Sequence, residues 1–211
     1  MKIIEPSFEI LDDIDGAKML TSVERSARIC YKSEHLITDD SAAAFIKRIL
    51  QHGHESTIEH EKITVKIICD RGVTHELVRH RIASYSQEST RYCNYANDKF
   101  QNEITVIKPC FWDENSEHYA QWQAAMQAAE DAYIALINSG ATAQEARAVL
   151  PNSLKTEIIV TMNLRAWRHF FRLRTAKASH PQMREIACMM LQGFQAAVPV
   201  LFDDLGIDDE E

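Results

Sequence analysis

Three short runs of β-branched residues, separated by longer segments with helical spacing, most constrain the fold of this 211-residue chain. The runs cover residues 63–69, 104–107 and 156–162, and β-branched side chains favour strands. Gly and Pro are scarce, at six and five residues, and no linker-like segment interrupts the chain. Because isolated strands alternate with runs of helix, we expect an α+β fold in one domain that covers residues 1–211.

The helices are predicted from apolar residues at helical spacing and from capping residues at their ends. Gly140 follows the longest of them, in the position just beyond a helix C-terminus. The predicted helices cover residues 15–31, 40–52, 73–81, 116–138, 142–150, 163–174 and 181–198. Residues 84–90, which are rich in hydroxyl side chains, are predicted to form a loop after the third helix.

The formal net charge of −8 is concentrated at the C-terminus. Six acidic residues lie from position 203 onward, and without them 25 acidic residues nearly balance 23 basic ones. Such an acidic tail is usually a solvated chain end. Arginines cluster instead in residues 79–91 and 165–174. A nearly neutral body with concentrated arginine predicts local anion sites and argues against a broad surface for nucleic acid polymers.

Composition and cysteine spacing indicate neither a membrane protein nor a disulfide framework. No apolar run approaches the roughly 20 residues that cross a bilayer, and the first residues lack the apolar stretch of a signal peptide. The five cysteines are an odd number, and no two have the spacing Cys-x-x-Cys. We therefore expect a cytoplasmic protein with no membrane partner.

The stretch from Arg79 to Arg91 gives the strongest indication of a ligand site. It opens with Arg79, His80 and Arg81 and continues through several hydroxyl side chains. Guanidinium forks and hydroxyl donors suit phosphate and carbonyl oxygens. On the predicted helix, Glu76 and His80 are four residues apart and share a face. A salt-bridged helix surface and a site for an anionic ligand are both consistent with this pattern.

A second polar segment, residues 52–60, holds three histidines and two glutamates. Imidazole and carboxylate groups bind zinc and iron, so one hypothesis is a metal-dependent hydrolase built on His52, His54, Glu59 and His60. The spacing is not His-Glu-x-x-His, however. Ser56 with Glu59 three residues later also fits a local capping box, and an organic ligand is a third interpretation.

The predicted helix 163–174 carries a basic face composed of Arg165, Arg168, His169 and Arg172. A solvated surface is one interpretation of this face. Contact with RNA or acidic lipid, as in a non-enzymatic RNA-binding module, is another. A third is a helix that supplies arginines to a pocket. Arg147 lies in the last turn of its predicted helix, where a cation suits the helix dipole.

Five segments, taken together and in order, resemble the flavin-dependent thymidylate synthase family. The most specific is Arg79-His80-Arg81, followed by seven residues and then Ser89. The segments cover residues 27–31, 53–60, 79–91, 145–151 and 163–180, so that the match extends over most of the chain.

The resemblance implies a small antiparallel-type sheet surrounded by several helices, and a homotetramer with FAD at sites shared between subunits. The implied reaction is the reductive methylation of dUMP to dTMP. Methylenetetrahydrofolate is the implied carbon donor, and NADPH reduces the FAD. In that family no enzyme nucleophile attacks the uracil ring.

The resemblance also implies a flavin site. Ser56 and Glu59 match positions on the flavin side, and His54 matches a histidine beside flavin and folate. The cofactor-binding residues implied in this way are His54, Ser56, Glu59, Arg79, His80, Arg81, Gln87, Asn163, Arg165 and His169.

The nucleotide site is implied by further matches. Ser89 and Arg91 match residues that reach the phosphate across a subunit boundary. Arg174 matches the arginine assigned to uracil N3 and is the implied catalytic residue, since a guanidinium stabilises negative charge that develops on the ring. The substrate-binding residues implied are Glu76, Arg79, Gln87, Glu88, Ser89, Thr90, Arg91, Arg147 and Arg174.

Overall fold

The computed structural model describes residues 1–207 and confirms a mixture of helices and strands. The strands are β1 (Lys2–Ile4), β2 (Ser7–Ile10), β3 (Lys62–Asp70), β4 (Ala83–Gln87), β5 (Thr105–Ile107) and β6 (Lys155–Asn163). The helices are α1 (Gly16–Arg28), α2 (Ser41–Gln51), α3 (Arg71–Leu77), α4 (Glu117–Asn138), α5 (Ala143–Ala146), α6 (Leu164–Arg174), α7 (Pro181–Ala197) and α8 (Pro199–Phe202). Short 3-10 helices include Glu55–His60 and Arg147–Val149.

Two sheets lie within residues 1–207. The small antiparallel sheet has four strands in the order β2-β3-β6-β4, as the resemblance implied. Strands β1 and β5 pair in parallel, with Lys2 opposite Thr105 and Ile4 opposite Ile107. The prediction of an antiparallel-type sheet did not include this parallel pair.

Contacts between residues divide the chain into two compact units. Unit 1 comprises Met1–Ser7, Ile67–Arg79 and Ser86–Ile159. Its longest helix is α4, which begins where Ser116 Oγ accepts a hydrogen bond from Tyr119 N at 3.2 Å. The helix ends before Gly140, whose φ of +99° confirms the predicted role of that glycine. No helix of residues 1–207 has both the length and the apolar character that membrane crossing requires.

The hydrophobic core of unit 1 packs one face of α4 against the parallel strand pair. Trp122 is buried on this face, and its Nε1 donates to Ser153 Oγ at 3.1 Å. The buried core residues are Tyr95, Ile104, Val106, Tyr119, Trp122, Met126, Tyr133, Ala146 and Leu154.

Unit 2 comprises Phe8–Lys66, His80–Tyr85 and residues 160–207. Its core is a cluster of aromatic rings contributed by α6, α7 and α8, in which neighbouring ring centroids lie 5.0–5.9 Å apart. Trp167 is fully buried there, and its Nε1 donates to the carbonyl oxygen of Ile63 at 2.9 Å. The other rings are Phe170, Phe171, Phe194 and Phe202. This cluster fixes α6, the helix that carries most of the predicted basic residues.

The helix predicted over residues 73–81 ends earlier, because α3 stops at Leu77. The chain turns at residues 78–79 and bends at His80 and Ile82, and strand β4 (Ala83–Gln87) follows. The loop predicted over residues 84–90 is therefore wrong for residues 84–87. Half-buried and exposed side chains alternate along that strand, as expected for a half-buried sheet. Glu76 and His80 therefore do not share a helix face.

The acidic C-terminus is only partly a solvated tail. Residues 208–211 of the predicted tail lie outside the described residues. Asp203 and Asp204 are both exposed, but Asp204 also forms an ion pair with Arg168 in which the closest nitrogen and oxygen are 2.6 Å apart. The interpretation of the tail as a purely solvated end is therefore wrong for Asp204.

Candidate active site

The predicted site residues divide between the two units. Unit 1 contains most residues assigned to the nucleotide, and unit 2 contains Arg174 and most residues assigned to the flavin. The first group comprises Glu76, Arg79, Gln87, Glu88, Ser89, Thr90, Arg91 and Arg147. The second comprises His54, Ser56, Glu59, His80, Arg81, Asn163, Arg165, His169 and Arg174.

In unit 1, the side chain of Gln87 is held at the end of β4. Its Nε2 donates to Thr74 Oγ1 at 3.1 Å and to Thr156 Oγ1 at 3.3 Å. Both threonines are buried. Thr74 is positioned because Asp70 Oδ1 accepts from Val73 N at 2.8 Å and begins α3. The Gln87 amide nitrogen thus has a fixed orientation from within the unit.

The carboxylate of Glu88 is bound on both oxygens inside unit 1. Tyr95 donates its hydroxyl to Oε1 at 2.7 Å, and Lys155 donates to Oε2 at 3.0 Å. Burial raises the pKa of Tyr95, and the Glu88 carboxylate raises it further. These contacts make Glu88 an anchor for the chain immediately before Ser89.

Residues 89–91 form a polar turn after Glu88. Arg147, from the predicted segment 145–151, reaches this turn. The Ser89 carbonyl accepts from Cys93 N at 2.9 Å, and its Oγ accepts from Arg91 N at 3.3 Å. Arg147 Nη1 reaches Thr90 Oγ1 at 3.5 Å. Within residues 1–207, neither Arg91 nor Arg147 forms an ion pair with a carboxylate, and both are exposed. Hydroxyl donors beside two such guanidinium groups suit a phosphate.

In unit 2, Arg174 and His80 form a direct contact between two predicted site residues. Arg174 Nε donates to His80 Nε2 at 2.9 Å. Because a guanidinium has no acceptor, this bond requires an unprotonated Nε2 and hence a neutral imidazole. The contact fixes the orientation of the Arg174 guanidinium at Nε.

The surroundings of His80 favour the neutral form. Burial lowers the pKa of His80 to about 4, and the positive charges of Arg174 and His169 act in the same direction. The ring also meets Phe170 edge-on, with centroids 5.0 Å apart. Tyr85 donates its hydroxyl to the His80 carbonyl at 2.6 Å, which fixes the backbone of the residue.

The turn after His80 is strained at Ile82. Its φ is +66°, in a region that β-branched residues rarely adopt, and its side chain is 82% exposed. Arg81 is also exposed. Backbone strain of this kind is concentrated at functional sites.

Most polar side chains of the 54–60 segment are exposed to solvent, whereas Glu55 is half-buried. Gly53, with φ +71°, ends α2 and turns the chain into this segment. His54, Ser56 and Glu59 are exposed. Glu59 accepts from Arg165 Nη1 at 2.5 Å, so that this ion pair joins the segment to α6.

Two further predicted residues occupy the start and middle of α6. Asn163 Oδ1 accepts from Ala166 N at 2.8 Å and caps the helix, which gives this side chain a structural role. His169 is exposed, and its ring centroid lies 5.9 Å from that of His80. The three segments that hold His54, His80 and His169 all belong to unit 2.

The burial of Arg168 was not predicted from the sequence. Its side chain is fully buried, so a solvated or RNA-binding basic face is wrong for this residue. It pairs with Glu55 and Asp204, neither of which was among the predicted site residues. The one sequence signal was its helical spacing from Leu164 and Phe171, which are also buried.

The metal hypothesis for residues 52–60 has no ligand set in the structure. Across the described part of the chain, no three His, Cys, Asp or Glu side chains are grouped so that they could hold a metal ion. The rings of His52 and His54 have centroids 6.1 Å apart. Glu59 is instead paired with Arg165.

Comparisons with known proteins agree with these segments. The family model described as "Thymidylate synthase complementing protein" matches residues 14–200. A flavin-dependent thymidylate synthase from Geobacter sulfurreducens is 39% identical over 193 residues, which cover 88% of this chain and 81% of that protein. One from Pyrococcus furiosus is 41% identical over 157 residues, 74% of this chain and 64% of that protein.

A solved structure has the same fold. It is the "UMP/dUMP methylase PolB" from Streptomyces cacaoi bound with 5-Br dUMP. Its TM-score is 0.78 and its identity 24%, with 96% of each chain covered.

Proposed function

The chain belongs to the flavin-dependent thymidylate synthase family, and we propose that it converts dUMP to dTMP by reductive methylation, with FAD as its cofactor and NADPH as the reductant. The matched region, residues 14–200, includes every predicted site residue. The Streptomyces methylase of the same fold was solved with a brominated dUMP, which supports dUMP as the substrate. From the family resemblance we also propose methylenetetrahydrofolate as the carbon donor, a homotetramer, and one domain over residues 1–211.

The donors of unit 2 fit a flavin dinucleotide. Arg81 and Arg165 are exposed guanidinium groups, which suit a pyrophosphate, and His54 and His169 are exposed imidazoles that suit polar ring atoms. When bound, the flavin supplies hydride transfer. The part of the protein is to bind and orient it. Asn163 contributes indirectly in this proposal, because its Oδ1 caps α6.

The observation that carries the proposal is the contact between Arg174 and His80. The hydrogen bond at Nε fixes the plane of the guanidinium group. Placed at uracil N3, such a group stabilises negative charge that develops on the pyrimidine. Arg174 therefore acts as an electrostatic catalyst and not as a base, since its pKa is far above neutrality.

The polar turn of unit 1 provides the phosphate contacts in this proposal. Arg147, Arg91 and the hydroxyl groups of Ser89 and Thr90 supply donors for the 5′-phosphate of dUMP. Glu88 holds the turn in place through Tyr95 and does not need to contact the nucleotide itself. In this proposal, contacts to the phosphate bind and orient the nucleotide, whereas stabilisation of the charge that develops on the uracil is assigned to Arg174.

The proposal is tested by purifying the protein and measuring its flavin content and its dTMP production. We expect a yellow protein that NADPH bleaches. dTMP formation is expected to require dUMP, methylenetetrahydrofolate and NADPH together. Reactions that omit one component at a time are the control. A colourless protein that cannot be reconstituted with FAD, and that forms no dTMP, would refute the proposal.

A further inference from the structure

An ion-pair network centred on a buried arginine joins the C-terminal end of unit 2 to the 54–60 segment. Its centre is Arg168, which lies on α6 between the flavin-side residues Arg165 and His169 and is fully buried. Asp204 binds it in a bidentate manner, with Nη1 to Oδ1 and Nη2 to Oδ2 both at 2.6 Å. Nη1 also donates to the carbonyl of Leu201.

Asp204 is held in a defined place by the fold of the C-terminal residues. Helix α8 ends at Phe202, and Leu205 just beyond Asp204 is buried. Gln195 on α7 donates its Nε2 to the carbonyl of Phe202 at 3.3 Å and to that of Leu205 at 3.0 Å. The carboxylate of Asp204 is thus delivered to Arg168 by a backbone that α7 fixes on both sides.

Glu55 is shared between two arginines of α6. Its Oε1 accepts from Arg172 Nη2 at 2.6 Å and from Arg168 Nε at 3.2 Å, and its Oε2 accepts from Arg172 Nη1 at 3.3 Å. Burial of Glu55 acts to raise its pKa, but the hydrogen bonds from Arg172 and Arg168 outweigh burial, and the pKa is lowered. Glu55 is therefore an ionised carboxylate at the first residue of the 3-10 helix Glu55–His60.

How closely Glu55 contacts each of its two arginine partners depends on Asp204. The shorter contact goes to Arg172 because Arg168 already has a bidentate carboxylate partner. If Asp204 lost its charge, Glu55 would be the one remaining carboxylate paired with Arg168 among residues 1–207. A fully buried guanidinium needs such compensation, so it would draw Glu55 inward. The buried side chain of Ile58 and the ion pair between Glu59 and Arg165 hold the later part of the 3-10 helix, so the movement is expected to reposition its first residues most.

We infer that Asp204 is a positioning residue for cofactor binding, which acts through Arg168 and Glu55 to set the position of the 54–60 segment. This inference rests on the proposed function, because His54, Ser56 and Glu59 of the segment are flavin-side residues only by family resemblance. Asp204 itself needs no contact with the flavin. The C-terminal turn, which the sequence indicated to be a solvated tail, thereby contributes to the affinity for FAD.

The test compares Asp204→Asn with Asp203→Asn, a matched change one residue away in an exposed carboxylate for which no ion pair exists within residues 1–207. Titration of the apoprotein with FAD is expected to show about tenfold weaker binding for D204N and no change for D203N. The visible circular dichroism of the bound flavin is expected to change in D204N alone. Asp204→Glu, which restores the charge, is expected to recover most of the affinity.

A purely structural role for Asp204 gives a different result. In that case D204N lowers the melting temperature but binds FAD with wild-type affinity and an unchanged dichroism spectrum. That result would overturn the inference. If D204N does not fold, Glu55→Gln is the substitute variant. Weaker FAD binding in E55Q would then support the inference, and wild-type affinity with an unchanged dichroism spectrum would overturn it.

Hydrogen exchange separates failure of this inference from failure of the proposed function. Peptides that cover residues 54–60 are expected to exchange faster in D204N than in D203N even without flavin. Wild-type protein that binds no FAD would contradict the proposed function but leave this expectation in force. Equal exchange in the two variants would overturn the inference whether or not flavin binds.

Discussion

Arg168 and Arg174 lie on the same helix, α6, and are held in opposite ways. Arg168 is fully buried and pairs with two carboxylates, Glu55 and Asp204. Arg174 donates its Nε to the neutral imidazole of His80. Both residues are arginines of one helix, so their surroundings and not their residue type distinguish their roles.

The difference teaches how one helix serves both the fold and the site. A guanidinium closed by carboxylates contributes to the position of neighbouring segments, because its charge is balanced within the protein. A guanidinium whose plane is fixed by a hydrogen bond to a neutral group is oriented to stabilise negative charge on a ligand or transition state. In unit 1, Arg147 resembles Arg174 in this respect, since its Nη1 meets the hydroxyl of Thr90.

The largest expected effect is on catalysis and comes from Arg174→Ala. Loss of the group that stabilises charge on the uracil is expected to lower dTMP turnover about 1000-fold. The flavin content is expected to stay at the wild-type level. Arg25→Ala, the same change at an exposed position of α1, is the control and is expected to leave turnover unchanged. Wild-type turnover in R174A would indicate that Arg174, like Arg168, has a structural role and no role in catalysis.

Arg168→Met tests the arginine to which the comparison assigns a structural role, and it is expected to reduce the stability of the protein. Removal of the guanidinium breaks its charge-assisted hydrogen bonds to Asp204 and Glu55 and leaves the carbonyl of Leu201 without this donor, and we expect a loss of about 3 kcal/mol in the free energy of unfolding, measured by urea denaturation. The matched control is Arg172→Met. That arginine also pairs with Glu55, but its side chain is 46% exposed, and its loss is expected to cost less than about 1 kcal/mol. Equal losses in the two variants would contradict the assignment of Arg168 as the centre of the network.

The neutral state of His80 predicts a dependence of stability on pH. The pKa of His80 is lowered from 6.5 to about 4, so its contribution is fully present above pH 6.5 and is lost as the pH falls towards 4. His80→Asn replaces the ring with a side chain that does not titrate and still offers Arg174 an acceptor. Between pH 7 and about pH 4.5, the wild type is expected to lose about 2 kcal/mol more unfolding free energy than H80N. Parallel curves for the two proteins would show that His80 does not titrate in this way.

Arg147→Ala is expected to have the smallest effect and to act through the phosphate alone. The KM for dUMP is expected to rise about tenfold, with a smaller change in kcat. Inhibition by deoxyuridine, which lacks the phosphate, is expected to be the same in wild type and variant. A loss of deoxyuridine binding in R147A would remove Arg147 from the phosphate site.

Local patterns predicted the main elements because the signals are local. The spacing and caps of α1, α4 and α7 lie within each helix, as do the β-branched residues of β3 and β6, and the structure confirms these elements. Strand β4 was predicted as a loop because Ser84 and Ser86 dominate its composition. The alternation that marks it as a strand depends on which side chains the sheet buries.

The partners of the site residues were not predictable, because they depend on tertiary contacts. Asp204 lies 36 positions from Arg168 in the sequence, and its charge reads as part of an acidic tail. His80 was predicted to share a helix face with Glu76, but the helix ends at Leu77 and His80 meets Arg174 instead. The family resemblance indicated which residues belong to the site, whereas the structure shows which of them are in contact.

The most direct test of the contrast between the two arginines separates the two halves of the reaction in R174A under anaerobic conditions. NADPH alone is expected to bleach the flavin of R174A at a rate close to that of the wild type. Addition of dUMP and methylenetetrahydrofolate is then expected to restore the yellow colour in the wild type and to leave R174A bleached. Restoration of the colour in R174A at the wild-type rate would contradict the assignment of Arg174 to the nucleotide.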